Sequence, residues 1–391
     1  MKSKRIESID LLRGLVMIIM ALDHARAYLH YGGPPADPTN LETTFPFLFF
    51  TRFITHFCAP VFVFLAGTSA CLYGQKKSKN QLGKFLFTRG VWLIFLELVV
   101  NNLIWFFDPK YEFINLQVLW TIGFSMIALS ALIQLPKRLI LLIGIAIVAG
   151  HNLLDGIVVE GHGVLSYLWY FLHQHQLLPI SESRIIYFNY PILPWIGVMA
   201  LGYCFGEFYK NGFSEVSRKK WLLRIGIGSI VLFFILRGIN VYGNLTPWEV
   251  QEDGVFTILS FMNITKYPPS LLFILFTIGG GILFLRYIEN IKNKATDVLL
   301  VFGRVAFFYY FLHMLFIHIA AIFILILSDQ DWRIMFVDAE VVMSGEMADY
   351  GFPLWVPYLV WILVVAALYP ICKWYMNYKA NNRDKWWLSY L

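Results

Sequence analysis

The sequence predicts an all-α polytopic membrane protein of about ten transmembrane helices, or eleven if a short apolar stretch at 165–180 also inserts. Both termini are expected on the cytoplasmic side. Three observations predict this. Hydrophobic residues make up 58% of the 391 positions and charged residues only 14%, against about 45–50% and about 25% in a soluble domain. Ten stretches are long and apolar enough to cross a bilayer, which takes about 20 residues each. The Lys and Arg residues then fall almost wholly in alternate connectors.

The spans lie near 9–31, 47–74, 85–106, 114–134, 138–156, 190–209, 220–240, 268–287, 298–327 and 353–376. The first follows a basic MKSKR start, and Ala25-Arg26-Ala27 imitates a signal-cleavage site. Asp10 and Arg13 precede its apolar core, and Asp23 and His24 interrupt the end, so it reads as a retained helix. The second carries Arg52 and His56. The third holds Arg89 and Glu97, two turns apart and spaced for an ion pair, with Asn101 and Asn102 suited to bonds between helices. The Gly-rich 226–228 stretch and Gly279–Gly281 lie inside spans and read as close helix packing, not phosphate loops. The ninth contains VFGRVAFFYYFLHMLFIH. Residues 165–180, LSYLWYFLHQHQLLPI, are short and read as an interfacial or re-entrant helix.

With the N-terminus inside, the cytoplasmic pieces 1–8, 75–84, 135–138, 210–224, 286–297 and 373–391 hold 3, 4, 2, 5, 3 and 4 basic residues. The outer loops hold only Lys110, Arg184, Lys266 and Arg333. This scatter through connectors argues against a nucleic-acid surface despite a net charge of +6. Residues 1–391 read as one integral membrane unit with an outer loop at 157–189 and a basic tail at 373–391. Cys58, Cys71, Cys204 and Cys372 sit in or beside apolar segments and have no metal-ligand spacing.

An α-helix turns about 100° per residue, so Arg13 and His24 lie nearly above one another and Asp10 falls about 60° away. That shared face must point into the protein, because a charge facing lipid costs about 2.5–3.5 kcal/mol. Asp10 and Arg13 are spaced for an i, i+3 ion pair, and His24 stands about 16 Å above Arg13. His56 lies about 15 Å down the second span by the same rise. His313 lies nine residues above Arg304. His24, His56 and His313 are therefore expected at comparable depth around one polar cavity. Asp23 either orients His24 or pairs with Arg26. Histidine, with a pKa of about 6.5, suits proton transfer, so His24, Asp23, His56 and His313 are the candidate catalytic residues. His151 and His318 read as hydrogen-bonded core residues. Glu160, His162, His173 and His175 cluster in the outer loop, but HQHQ lacks the i, i+4 geometry of a zincin motif and reads as a solvated loop end. No metal is expected.

RIESIDLLRGLVMIIMALDH and FCAPVFVFLAGTSA, with PWIGVMALGYCFG and GRVAFFYYFLH further on, resemble the bacterial membrane proteins grouped with the catalytic domain of heparan-α-glucosaminide N-acetyltransferase. The Arg13-to-His24 spacing is similar, more distantly, to that of the acyltransferase-three membrane family. The resemblance implies transfer of an acyl group from acetyl-CoA or another acyl-CoA, engaged from the cytoplasm, to a sugar amine or hydroxyl at the outer side of a bacterial plasma (inner) membrane. By carry-over, His24 is the catalytic histidine, and Asp10 and Arg13 lie near the donor entrance with Arg89 and Arg304. The heparan-type proteins carry Asn where His24 stands, which leaves N- and O-transfer both open. The alternative from a different class is a proton-coupled secondary transporter whose His/Asp/Arg groups form a relay.

Overall fold

The structure, a computed structural model, describes residues 6–33, 36–348, 350–382 and 384–389. It is built almost entirely of helices. The first half comprises α1 (Glu7–Leu29), α2 (Pro46–Thr55), α3 (Cys58–Tyr73), α4 (Lys79–Phe95), α5 (Asn102–Phe106), strand β1 (Phe113–Asn115), α6 (Val118–Leu132), α7 (Lys137–Gly150), α8 (Val164–Leu172), strands β2 (Gln176–Ser181) and β3 (Arg184–Phe188), and α9 (Leu193–Phe205). The second half comprises α10 (Glu215–Ile239), α11 (Gly254–Met262), α12 (Leu271–Ile288), α13 (Lys294–Arg304), α14 (Ala306–Leu327), α15 (Ala339–Ser344) and α16 (Trp355–Asn381).

Each expected span coincides largely with helix, though only some of these helices are unbroken. Among the described residues, six helical stretches are long and apolar enough to cross a membrane: Pro46–Lys76, Lys137–Leu154, Glu215–Ile239, Leu271–Ile288, Ala306–Leu327 and Trp355–Asn381. The other four expected spans depart for physical reasons. The first is α1, which carries Glu7, Asp10, Arg13, Asp23 and Arg26. The third is divided by a π-helical turn at Leu96–Asn101. The fourth and sixth, α6 and α9, have 15 and 13 helical residues, about 20 Å at 1.5 Å per residue, against a hydrocarbon core of about 30 Å.

Two further breaks matter for the site. The span expected at 47–74 divides at His56–Phe57 because Pro60 has no N–H for the His56 carbonyl and its ring crowds that carbonyl. The span expected at 298–327 divides at Val305, whose φ −125° and ψ 33° lie outside the helical region.

All-α needs one correction, since the segments 113–115, 176–181 and 184–188 build a small sheet in the order β1-β3-β2. β1 pairs parallel with β3, Phe113 opposite Ile185, and β2 pairs antiparallel with β3, Gln176 opposite Phe188. Pro179 is incompatible with the interior of a helix over 165–180. The helix there ends at Leu172 and the rest becomes strand. This cap has its own apolar core of Leu116, Tyr170, Leu178 and Phe188.

α1 is central, packed on α13, α14 and α16 and touching α2, α3 and α12. Glycines set two of the closest seams. A Cβ on Gly14 would lie 1.9 Å from the Leu299 carbonyl oxygen, and one on Gly303 would lie 1.8 Å from that of Asp10, so α1 and α13 touch backbone to backbone. Gly67 and Gly202 do the same for α3 and α9. In the Gly-rich stretches, Gly226 and Gly279 face each other where α10 packs on α12.

Candidate active site

The seam at Gly14 and Gly303 brings together the two arginines that adjoin those glycines. Arg13 donates to Asp10 Oδ1 at 3.0 Å, the pair its spacing predicts, and also reaches Ser69 Oγ and the Gly303 carbonyl oxygen, both at 3.4 Å. Arg304 lies 3.6 Å from Glu7 and 4.0 Å from Asp10. Both arginines line a cavity of about 1350 Å³, together with Arg89, Lys379 and Lys385. This exceeds the roughly 300–1,000 Å³ of an ordinary small-molecule site. Its walls are otherwise apolar and rise past Met17 to Met20, Leu119 and Tyr310.

His24 stands just beyond those last residues, four positions and about 6 Å above Met20. Its ring centroid is 6.5 Å from that of Tyr310 and 4.9 Å from that of Trp105, both edge-on. His24 Nδ1 and His313 Nε2 are 2.8 Å apart, and His313 Nδ1 is 2.8 Å from the Tyr309 carbonyl oxygen. A carbonyl can only accept, so His313 carries its proton on Nδ1. With both rings neutral, His313 Nε2 then accepts from His24 Nδ1, and His24 Nε2 is left as the basic nitrogen. His313 is 0% exposed and His24 9%, so the member with the free lone pair is also the more accessible one.

Asp23 turns away from His24. It accepts from Arg26 Nη2 at 3.2 Å and from Arg52 Nη1. Arg52 extends the network to the Tyr267 hydroxyl at 3.5 Å, which donates to Tyr190 Oη at 3.4 Å. The Lys266 ammonium sits over both tyrosine rings, 5.0 Å from the centroid of Tyr267 and 5.8 Å from that of Tyr190. The charges of Lys266 and Arg52 outweigh the effect of burial and hold the Tyr267 phenol below its ordinary pKa. His175 stacks on Tyr267 with centroids 5.4 Å apart and is 2.5 Å from the Tyr187 hydroxyl. A second polar cluster therefore adjoins the histidine pair, built of residues that do not line the basic cavity.

Only two of the three candidate histidines meet, and none of the three is among the residues that line the basic cavity, against the expectation of one shared cavity. His56, at the α2–α3 break, packs on Phe53 and Phe273 and shares no hydrogen bond or ring contact with His24 or His313 among the described residues. It lies within electrostatic reach of Asp23, Arg26, Arg52 and Lys266, on the side of the second polar cluster. Nor does Glu97 pair with Arg89, which faces the cavity. Glu97 Oε1 accepts from Asn101 at 2.6 Å, and Oε2 from the amides of Leu119 and Trp120 at 2.8 and 3.1 Å. The π turn thus delivers a carboxylate to the unsatisfied N–H groups that open α6. His173 is buried instead of solvated. His318 is held between the carbonyls of Ile104 and Met335 at 2.8 and 2.9 Å, as a core residue.

Sequence reasoning missed Trp105, Tyr310, Tyr190 and Tyr267, since aromatic residues are 18% of the chain and none stands out by type. Lys266 carried a signal as one of few basic residues in the outer loops. Lys379 and Lys385 counted only as orientation charges.

Fold and site define a helical membrane protein in which a large basic cavity approaches a buried, oriented histidine pair. The chain belongs to the family described as heparan-alpha-glucosaminide N-acetyltransferase, catalytic, whose sequence model matches residues 5–238. That family suggests a membrane acetyltransferase with a donor of the acyl-CoA type. The match spans Arg13, Asp23, His24, Arg52, His56 and Arg89, while Arg304 and His313 lie beyond it. No curated protein matches the chain.

Proposed function

We propose that this protein moves an acyl group, acetyl in the simplest case, from a cytoplasmic acyl-CoA to the amine or hydroxyl of a glycan presented at the outer side. In this reading the chain crosses the bilayer about ten times with both ends inside, in a bacterial plasma membrane. The alternating Lys and Arg of the connectors support that orientation. Arg13, Arg89, Arg304, Lys379 and Lys385 hold the donor's phosphates at the cavity mouth. The apolar shaft toward Met20 and Tyr310 takes the pantetheine arm and brings the thioester up to His24. Asp23, Arg52, Lys266 and Tyr267 receive the acceptor from the other side.

His24 Nε2 removes the proton from the acceptor nitrogen or oxygen as that atom attacks the thioester carbonyl. The C–S bond breaks, and the departing thiolate takes the proton back from His24. His313 stays the acceptor for Nδ1–H, holding the ring in the competent tautomer and supporting the transient imidazolium, as the third member of a catalytic triad does. An acyl-histidine route would use the same nitrogen as nucleophile.

The observation that carries the reading is the directed chain from the Tyr309 carbonyl through His313 to His24, close to both the basic cavity and the second polar cluster. The broken helices also suit a transporter, so the experiment separates the two. Purified protein in liposomes receives radiolabelled acetyl-CoA on one side and mixed glycans on the other. Label recovered in glycan, lost in a folded His24→Ala variant, is the expected result. Counterflow of substrate without any label transfer overturns it in favour of transport.

A further inference from the structure

Another cluster of ionisable groups lies at the C-terminal end of α7, and the reaction above leaves it unused. His151 begins the 3₁₀ turn that ends α7, Asp155 follows that turn, and His173 caps the C-terminus of α8. One ligating atom from each of the three lies within 4.8 Å of the others. His173 Nε2 is 3.7 Å from Asp155 Oδ1, and the two imidazole centroids are 5.5 Å apart. His151 is 2% exposed and His173 3%. Both ring nitrogens of His151 are buried without a hydrogen-bond partner among the described residues. Leaving such atoms unmet is costly, and native interiors almost always supply a partner. The surroundings are ordered for one. Asn152 Nδ2 donates to Asp155 Oδ2 at 2.8 Å, which leaves Oδ1 toward His173. Trp169 stacks on His173 with centroids 5.3 Å apart.

We propose that His151, Asp155 and His173 form a site for a divalent transition-metal ion of the zinc class, which fastens the outer cap to the helix bundle. Two imidazoles and one carboxylate are a zinc donor set, whereas calcium and magnesium seek oxygen alone. Ligand atoms around a tetrahedral zinc stand about 3.3–3.6 Å apart at bond lengths of about 2.0–2.2 Å. The His173–Asp155 pair is close to that already, and the widest pair closes with a shift of about an ångström. His151 gains a partner for a buried nitrogen. His173 Nε2 now donates to the His151 carbonyl at 2.8 Å. Binding through Nε2 moves that proton to Nδ1, so that the ligand is a neutral imidazole, and leaves the carbonyl or a water to complete the coordination.

The position gives the ion its use. Asn152 Oδ1 accepts the Leu271 amide at 2.8 Å at the start of α12, and the Tyr242 hydroxyl donates to the Ala149 carbonyl at 2.5 Å. The end of α7 is therefore tied to the loop that carries Lys266 and Tyr267. An ion there braces the frame of the second polar cluster without joining the chemistry.

The test uses the full-length chain purified without chelator, its metal content measured by mass spectrometry. Chelator-stripped protein is then titrated with zinc chloride and cobalt chloride. About one zinc per chain, the visible absorption band of tetrahedral cobalt, and a thermal midpoint raised by a few degrees on zinc addition are expected. Asp155→Asn, which keeps the shape of the side chain, should weaken zinc binding at least tenfold while its metal-free form melts with stripped wild type. His151→Leu should abolish the cobalt band. A chain that purifies without zinc and shows neither cobalt band nor thermal shift overturns the site. Zinc binding unchanged in both variants overturns it as well, by placing the ion elsewhere. None of these readouts needs turnover, so the outcome is independent of acyl transfer.

Discussion

If His313 sets the tautomer of His24, replacing it should lower kcat while donor binding holds. His313→Leu removes the acceptor for His24 Nδ1–H and the donor to the Tyr309 carbonyl, both 2.8 Å contacts of a ring that is 0% exposed. The proton of His24 is then free to sit on Nε2, where the ring cannot act as a base. Keeping it on a buried, unsatisfied Nδ1 costs about 1–3 kcal/mol. At about 1.4 kcal/mol per tenfold, kcat should fall about 5- to 150-fold. His313→Gln presents an amide oxygen to His24 and an amide N–H to Tyr309, and should recover much of the loss. His24→Ala, which removes the base itself, should cost about 10²- to 10⁴-fold. The assay is steady-state label transfer in liposomes with donor KM measured separately, alongside a melting curve for each variant. A folded His313→Leu enzyme turning over at the wild-type rate would refute the relay. So would His313→Gln and His313→Leu variants that are equally impaired.

Other outcomes follow from the same contacts. Gly303→Ala should separate α1 from α13, because its Cβ would sit 1.8 Å from the Asp10 carbonyl oxygen. A loss of about 1–3 kcal/mol would appear as a lower denaturation midpoint, with wild-type stability arguing against the seam. Asp23→Asn leaves the buried Arg26 and the largely buried Arg52 without their carboxylate. It should destabilise the chain by about 3–5 kcal/mol, read by thermal melting in detergent, and raise the acceptor KM. Arg304→Ala and Lys379→Ala should each raise the donor KM several-fold with kcat nearly unchanged, because they line the cavity and touch neither His24 nor His313 among the described residues. Competition binding with unlabelled CoA checks this, and unaltered affinity in the double variant would remove the donor from that cavity.

The sequence by itself determined the membrane class, the helical architecture and the inward-facing charged face of α1. Bilayer thickness fixes how long an apolar run must be, and the constant turn and rise of an α-helix fix which residues share a face. For that reason the Asp10–Arg13 pair was legible in the sequence, while His24 and His313 were expected only at comparable depth in company with His56, and their direct contact came from the structure. The same arithmetic did not exclude His56, because a rise along a helix gives depth alone, and the His56 ring meets Phe53 and Phe273 instead of His24. Only the tertiary structure decided the pairing of β1 with β3 some seventy residues later, the capture of Asp23 by Arg52, and the meeting of Glu97 with the start of α6. It also decided which aromatic rings enclose His24. Those contacts join segments far apart in the chain, and nothing in local periodicity encodes which distant partner a buried polar group will find.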